Sequence, residues 1–426
     1  MKLQPVADAH GSRPTEIRLP MKSPVRIAVA GAGNRARKYI QYILSHPGDA
    51  ILIAAADPDS RRRERFAAET SLEASRLYAT DEEMLAERAD EIDAVIIASP
   101  DRHHYRQAMR ALRHGCHILV EKPVACSSSE VADIAREATD RRLVAGVCHV
   151  LRYHPYFQTL HSLIAEGSLG TPVAIHHRIS VGLDRALHTF IRGPWADSRM
   201  TSPPILSKCC HDADLLLWLT GATGATDINT MASPLFILRN ERPATASDRC
   251  IDCNAESDCP FSAVDLYSRR GLWTDNFDPQ PDETHRQTID RYLRHSRFGR
   301  CAYICDTDAP LSQSINLTTD TGCLATLTLD MIGDSGRRTT HIVLTRGEIH
   351  GDELTLTHQR FGNRQPVTTQ FTPGPYHSGA DHALVSDFIT AIRNPTHRMK
   401  ATIAEAQAST EICLKAYEAI SCTTKS

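Results

Sequence analysis

Residues 25–30 form a short apolar run rich in β-branched side chains and interrupted only by Arg26. A glycine turn follows, Gly31-Ala32-Gly33, and then an amphipathic stretch to about residue 45. That order predicts strand, turn and helix. The rhythm repeats. Residues 51–56 are a second apolar run ending in Asp57, residues 93–99 and 117–120 are two more, and residues 143–150 add another. Helical periodicity fills 81–89, 102–114 and 128–140. Buried strands alternating with helices specify a parallel, doubly wound α/β sheet of the Rossmann kind, with ligands beyond the carboxyl ends of its strands.

The pattern changes after residue 150. Residues 204–219 read as a helix, and 314–319, 322–330 and 339–346 alternate polar and apolar positions, as antiparallel strands do. Residues 348–352 read as a turn into a strand at 353–357, and 379–392 and 402–420 as closing helices. An insertion at about 235–310, rich in Pro, Asp and Arg, offers little core of its own. Residues 1–22 lack the apolar segment of a secretory signal and are expected to be a disordered leader. The chain thus divides into this leader, a dinucleotide-binding domain at 23–150 and a second domain at 151–426.

Composition narrows the function classes. Of 426 residues 41% are hydrophobic, and 48 basic against 51 acidic side chains leave a net charge of −3, no surplus to draw nucleic acid or an anionic membrane. No apolar run approaches the roughly 20 residues that span a bilayer. Thirteen cysteines are too sparse for a disulfide scaffold and suggest reduced thiols in the cytoplasm.

The glycine turn carries chemistry. Gly31 permits the tight turn, Gly33 removes a side chain where a pyrophosphate must approach, and Ala36 lets the helix pack on the strand. Asn34 and Arg35 at the helix start complete a phosphate cradle. Asp57 lies where a carboxylate holds both ribose hydroxyls, which favours NAD. Arg61, Arg62 and Arg63 follow closely and are either a pairing site for the extra phosphate of NADP or a solvated helix face.

Further along come Ser99-Pro100-Asp101 with His104, then Glu121-Lys122-Pro123, then Arg152-Tyr153-x-Pro155 and Glu166-Gly167-x-Leu169-Gly170. With the glycine turn and in this order, these resemble the glucose–fructose oxidoreductase/inositol dehydrogenase/rhizopine catabolism (Gfo/Idh/MocA) family, over about residues 24–420. The resemblance implies an α+β C-terminal domain with an open, mainly antiparallel sheet, a nicotinamide and substrate between the domains, and homodimers or homotetramers formed through that sheet. It implies cofactor contacts from Ser99, Pro100, His104, Glu121 and Lys122, with Pro123 in a cis bond that aims the lysine. A lysine amine partly buried beside a cationic ring exchanges a proton readily, so Lys122 is a catalytic candidate. His211 matches the family's catalytic histidine, with Asp214 its partner. The family usually places an aspartate four residues before this histidine. Here Ser207 stands there, a poor base, and Lys208 or Asp212 becomes a candidate to contact the substrate, Lys208 through an anionic group. Arg152, Tyr153, His188, Arg192 and Trp195 are candidates for a polar sugar with an apolar face. His377 reads as a helix cap or a surface residue.

Cys250-x-x-Cys253-x5-Cys259 and Cys301-x3-Cys305 form a second cluster. A C-x-x-C turn presents two thiolates from one loop, so a closed, structural zinc site from Cys250, Cys253, Cys259 and Cys301 or Cys305 (Cys305 preferred) is expected, with free thiols and disulfides as the other outcomes. The overall expectation is an NAD-dependent oxidoreductase moving a hydride between a sugar or cyclitol secondary alcohol and nicotinamide. Its rivals are an NAD-dependent glycosidase with no net redox change, and a dinucleotide or sugar sensor.

Overall fold

A computed structural model describes residues 23–233, 239–333, 336–362 and 365–423. The expected leader, 1–22, lies outside the described residues. The first domain runs β1 (Val25–Ala30), α1 (Asn34–Ser45), β2 (Ala50–Ala56), α2 (Ser60–Thr70), β3 (Leu77–Tyr78), α3 (Asp81–Arg88), β4 (Ala94–Ile97), α4 (His104–Arg113), β5 (His117–Val120), α5 (Ser128–Asp140) and β6 (Ala145–Val147). The strands are all parallel, in the order β3-β2-β1-β4-β5-β6. Helices cover both faces, so β4 and β5 are buried at every position, in keeping with their apolar runs Ala94–Ile97 and Ile118–Val120. The strand order reverses between β1 and β4, which puts the glycine turn and the Ser99–Pro100 turn side by side at the switch point.

The chain continues through α6 (Pro155–Ala165), β7 (Pro172–Ser180), a short α7 (Leu183–Ala186), α8 (Pro204–Thr220), β8 (Ala225–Ala232) and α9 (His285–His295). Then come β9 (Ser312–Thr319), β10 (Leu324–Asp330), β11 (Arg338–Leu344), β12 (Gly347–Gly351), β13 (Thr355–Arg360), β14 (Val367–Gln370), a single turn α10 (Pro375–Ser378), α11 (Ala380–Arg393) and α12 (Ile403–Thr423). The second sheet has eight strands, ordered β14-β13-β12-β11-β7-β10-β9-β8. Every described pairing in it is antiparallel except β7 with β10. Strands β9 to β11 bury alternate residues, so one face packs inward and the other stays open. Residues 348–351 of the expected turn instead belong to strand β12, whose Ile349 is fully buried.

Helix α8 is the centre of the second domain. Pro204 sits in its first turn, and Gly221 ends it at a φ of 65°. Nearly all of its residues are buried, including both acids, because it lies between the second sheet and α12. The two cores do not divide the chain cleanly at residue 150: α11 and residues as far as Ala406 pack into the first core, against α1 and β1.

A charged network ties α8 to the junction. Arg152 donates to both carboxylate oxygens of Asp214 at 2.8 Å, and His149, just past β6, sits 3.1 Å from the same carboxylate. Against the effect of burial, Asp214 raises the His149 imidazole to about 9. His149 therefore holds a proton in the folded state that a free imidazole releases near 6.5. The stability from this pair is complete below about pH 6.5 and is lost as pH rises through the folded-state value. We expect thermal melts to show Tm falling with pH across that window. His149→Asn should melt lower on the acid side and with a flatter pH slope. An identical slope in the two proteins would contradict the assignment.

Candidate active site

The Gly31 carbonyl-side turn is forced by space. Gly31 has a φ of +94°, and a Cβ there would lie 2.6 Å from the Ser99 backbone nitrogen. Gly33 is different: a Cβ on it would meet nothing within 4 Å. Helix α1 starts at Gly33 without a side-chain cap, so its first amides face an open cradle. Asp57 is buried beside it and accepts from Ala32 N at 2.9 Å and Asp59 N at 3.0 Å. Uncapped amides, a gap in place of a side chain and a carboxylate at the end of β2 fit a dinucleotide's pyrophosphate and ribose. Arg63 donates to the Asp57 carbonyl and Arg61 pairs with Asp59 at 3.5 Å.

The two turns beyond β4 and β5 are clasped together. His104 places one ring nitrogen 2.8 Å from the Pro123 carbonyl and the other 2.8 Å from that of Ser99. It braces the site by this contact. Arg35 likewise turns inward, to Glu121 at 2.6 Å and Asp381 at 2.8 Å, and leaves only its backbone to the cradle. Glu121 also accepts from Tyr39 at 2.5 Å and from the Lys122 amide at 3.0 Å. The Lys122–Pro123 bond is cis, as expected. From this anchored turn Lys122 Nζ donates to the Ser207 carbonyl on α8, at 2.6 Å.

His211 lies one helical turn beyond Ser207. It is buried, and its Nδ1 has no hydrogen-bond partner. Burial first, then Lys122 and His149, hold its imidazole well below the ordinary value, so it stays neutral and able to accept a proton. The His149 ring is 5.4 Å away. Lys208, between Ser207 and His211, is drawn down to about 7 by burial and by Lys122, Arg185 and Arg338. His377 pairs with Asp381 at 2.9 Å, and it is near enough to help depress His211. It is an exposed surface residue, and α11 begins without a side-chain cap.

Several candidate substrate contacts are committed elsewhere. Arg152 belongs to Asp214, and Tyr153 donates to Asp387 at 2.7 Å. Asp212 is fully buried between Arg338 and His177. Arg192 is fully buried too, and donates to the carbonyls of Arg300 at 2.8 Å and Phe261 at 2.6 Å, pinning the insertion to the segment after α7. His188 stacks on Trp273 and Phe298 within the insertion's aromatic wall, and burial lowers it to about 4. Trp195 Nε1 donates to Asp101 at 3.2 Å, across the domain interface. His149 and Arg338 escaped the sequence reading. Only His149 had a signal, its place just past a strand's carboxyl end.

The zinc expectation is corrected. An Arg249–Arg300 bridge brings Cys250 beside Cys301, and Cys250, Cys253, Cys259 and Cys301 line one cavity of about 20 Å³. Cys305 is turned away and donates to the Cys301 carbonyl at 3.4 Å, so it is not the fourth member. Among the described residues no group of three or more His, Cys, Asp or Glu side chains is disposed to hold a metal ion. The described cysteines are free thiols. Burial pushes those of Cys259 and Cys301 up. Among the described residues no helix is long and apolar enough to cross a membrane.

Comparison with known proteins agrees with this geometry. Residues 25–149 match the model of the Gfo/Idh/MocA oxidoreductase family, NAD-binding Rossmann fold. Inositol 2-dehydrogenase 1 of Saccharopolyspora erythraea is 28% identical over 198 residues, 46% of this chain and 54% of that protein. UDP-N-acetylglucosamine 3-dehydrogenase of Acidithiobacillus ferrooxidans is 28% identical over 226 residues, 51% of this chain and 64% of that one. The chain thus matches between half and two thirds of the length of these relatives. Solved structures share the fold over more of the chain. That of the Acidithiobacillus dehydrogenase has a TM-score of 0.61 at 20% identity, covering 92% of this chain and 97% of that one. An inositol dehydrogenase homologue from Azotobacter vinelandii, complexed with NADH and myo-inositol, has a TM-score of 0.65 at 14% identity, covering 93% and 96%. Residues 25–149 therefore form an NAD-binding Rossmann domain of the Gfo/Idh/MocA oxidoreductase family, and the chain shares its two-domain fold with these solved structures.

Proposed function

We propose that the protein is an NAD-dependent dehydrogenase of a sugar or cyclitol secondary alcohol. The observation that carries this reading is the meeting of Lys122, from the first domain, with the α8 segment that bears an unpartnered, neutral His211. Inositol and sugar dehydrogenases among the relatives support the substrate class. The bound dinucleotide supplies the hydride acceptor. The chain's residues do the rest. The α1 amides and Gly33 receive the pyrophosphate, and Asp57 receives the ribose hydroxyls, which favours NAD over NADP because a carboxylate repels a 2′-phosphate. Lys122 orients the substrate hydroxyl, and His211 takes its proton at the free Nδ1. Ser207 lends only its carbonyl, to Lys122, so the imidazole acts without the carboxylate usual in the family.

Incubation with NAD and a panel of sugars, cyclitols and their acids should produce NADH. Release of phenol from nitrophenyl glycosides without net NADH would instead mark an NAD-dependent glycosidase. Lys122→Met should lower turnover by at least about 10²-fold, the scale of a misplaced reacting group, and near-normal turnover would refute its role.

The two glycines separate fold from cofactor. Gly31→Ala should cost roughly 1–3 kcal/mol of stability through strain and close contact. Gly33→Ala should melt as the natural protein does but bind NAD at least about ten-fold more weakly, the worth of one charged hydrogen bond. Equal NAD affinity in Gly33→Ala would contradict the cradle.

The depressed His211 also predicts a pH profile. Its working form is neutral, so the acid limb of kcat/KM should lie below about pH 6.5, the value of a free imidazole. A limb above that value would mean another group is the base.

A further inference from the structure

A buried charge is costly unless a counter-charge meets it. Helix α8 carries three charged side chains into the protein beside the cleft, and two are met. Asp212 has Arg338 and His177, and Asp214 has Arg152 and His149. The third, Lys208, is not. Its Nζ lies 5.7 Å from the Phe190 ring centroid, and the charged groups facing it are Lys122 beyond β5, Arg185 of α7 and Arg338 of β11, all of its own sign. Arg338 is already committed to Asp212 and is 3.8 Å from Glu353.

Arg185 is also without a carboxylate. Its guanidinium sits 5.5 Å from the Trp273 ring centroid, and the residue is exposed to solvent. The acid next to it, Asp184, is taken by Arg270 at 2.7 Å. The insertion closes this side with Trp273 and a neutral His188, not with an acid. Among the described residues no carboxylate comes within ion-pairing distance of Lys122, Lys208 or Arg185. Lys208 and His211, three residues apart on α8, share a helix face, so the unmet charge lies next to the proposed base.

We infer that the substrate itself supplies the missing negative charge: it is a polyol bearing an anionic substituent, carboxylate or phosphate, received between Lys208 and Arg185. A compact ammonium and a planar guanidinium together suit such a group. Anion binding also restores the full charge on Lys208, whose amine otherwise sits near neutrality. The inference rests on the cleft being the hydride-transfer site of the preceding section.

The test is calorimetric titration of the NADH-saturated full chain with D-glucuronate, D-galacturonate, D-glucose 6-phosphate and D-glucose. At least one anionic probe should bind at least about ten-fold more tightly than D-glucose, the worth of one charge-assisted contact. The uronates and the phosphate ester distinguish the two anions. Lys208→Met should remove most of that preference. Arg185→Gln, on the solvent side, should weaken the same probe while NADH affinity stays unchanged in both variants, which reports an intact fold. D-glucose binding as tightly as every anionic probe, no binding of any probe, or a preference unaltered in both variants would overturn the inference. NADH production from neutral polyols alone would leave the dehydrogenase reading standing and sink this one. Tight anion binding without turnover of any polyol would do the reverse.

Discussion

One buried carboxylate organises the cleft. Glu121 sits at the end of β5, out of water, and a carboxylate there survives as an anion only if it is fully met. Against the effect of burial, Arg35 and Lys122 hold it below the usual carboxylate range. Its grip on Arg35, Tyr39 and the Lys122 amide joins the first turns of α1 to the turn beyond β5. Arg35 extends the same link to Asp381 at the start of α11, and Asp381 to His377. The α1 cradle, the lysine and helix α11 are therefore one unit. Lys122 can meet Ser207 on α8 because its backbone is held at that point.

Charge pairing explains the division of labour on α8. Its two acids are matched by bases from β7, β11 and the segment after β6, which lock the helix against both the sheet and the first domain. Its two bases, Lys208 and His211, have no such partners. Packing spends the acids on structure and leaves the bases facing the cleft, the reverse of the aspartate–histidine arrangement expected from the family.

The first domain was readable because parallel strands buried on both faces appear as unbroken apolar runs. β3, at two residues, is too short to carry a pattern. β7 was missed because His176, His177 and Arg178 mask its alternation, although Ile175, His177, Ile179 and Ser180 are its buried positions. β12 looked like a turn because Gly347, Gly351 and Asp352 outweigh the single buried isoleucine. The site divides in the same way. Gly31, Gly33, Asp57, Lys122 and His211 belong to short local patterns, and local pattern places them. The fates of Arg152, Arg192 and Asp212 depend on partners 62, 108 and 126 residues away. No local signal tells an arginine open to a substrate from one closed on an aspartate. Spacing likewise could not choose between Cys301 and Cys305, since the Arg249–Arg300 bridge decides it.

The central claim is that the α1 cradle and the Lys122–His211 pair serve one ligand. The most direct measurement is a crystal structure of the protein grown with NAD and an oxidisable polyol. The pyrophosphate should lie on the first turn of α1, the nicotinamide ring should enter the cleft between the domains, and a substrate hydroxyl should stand within hydrogen-bond reach of both Lys122 Nζ and His211. A dinucleotide bound elsewhere, or a polyol touching neither side chain, would contradict the account.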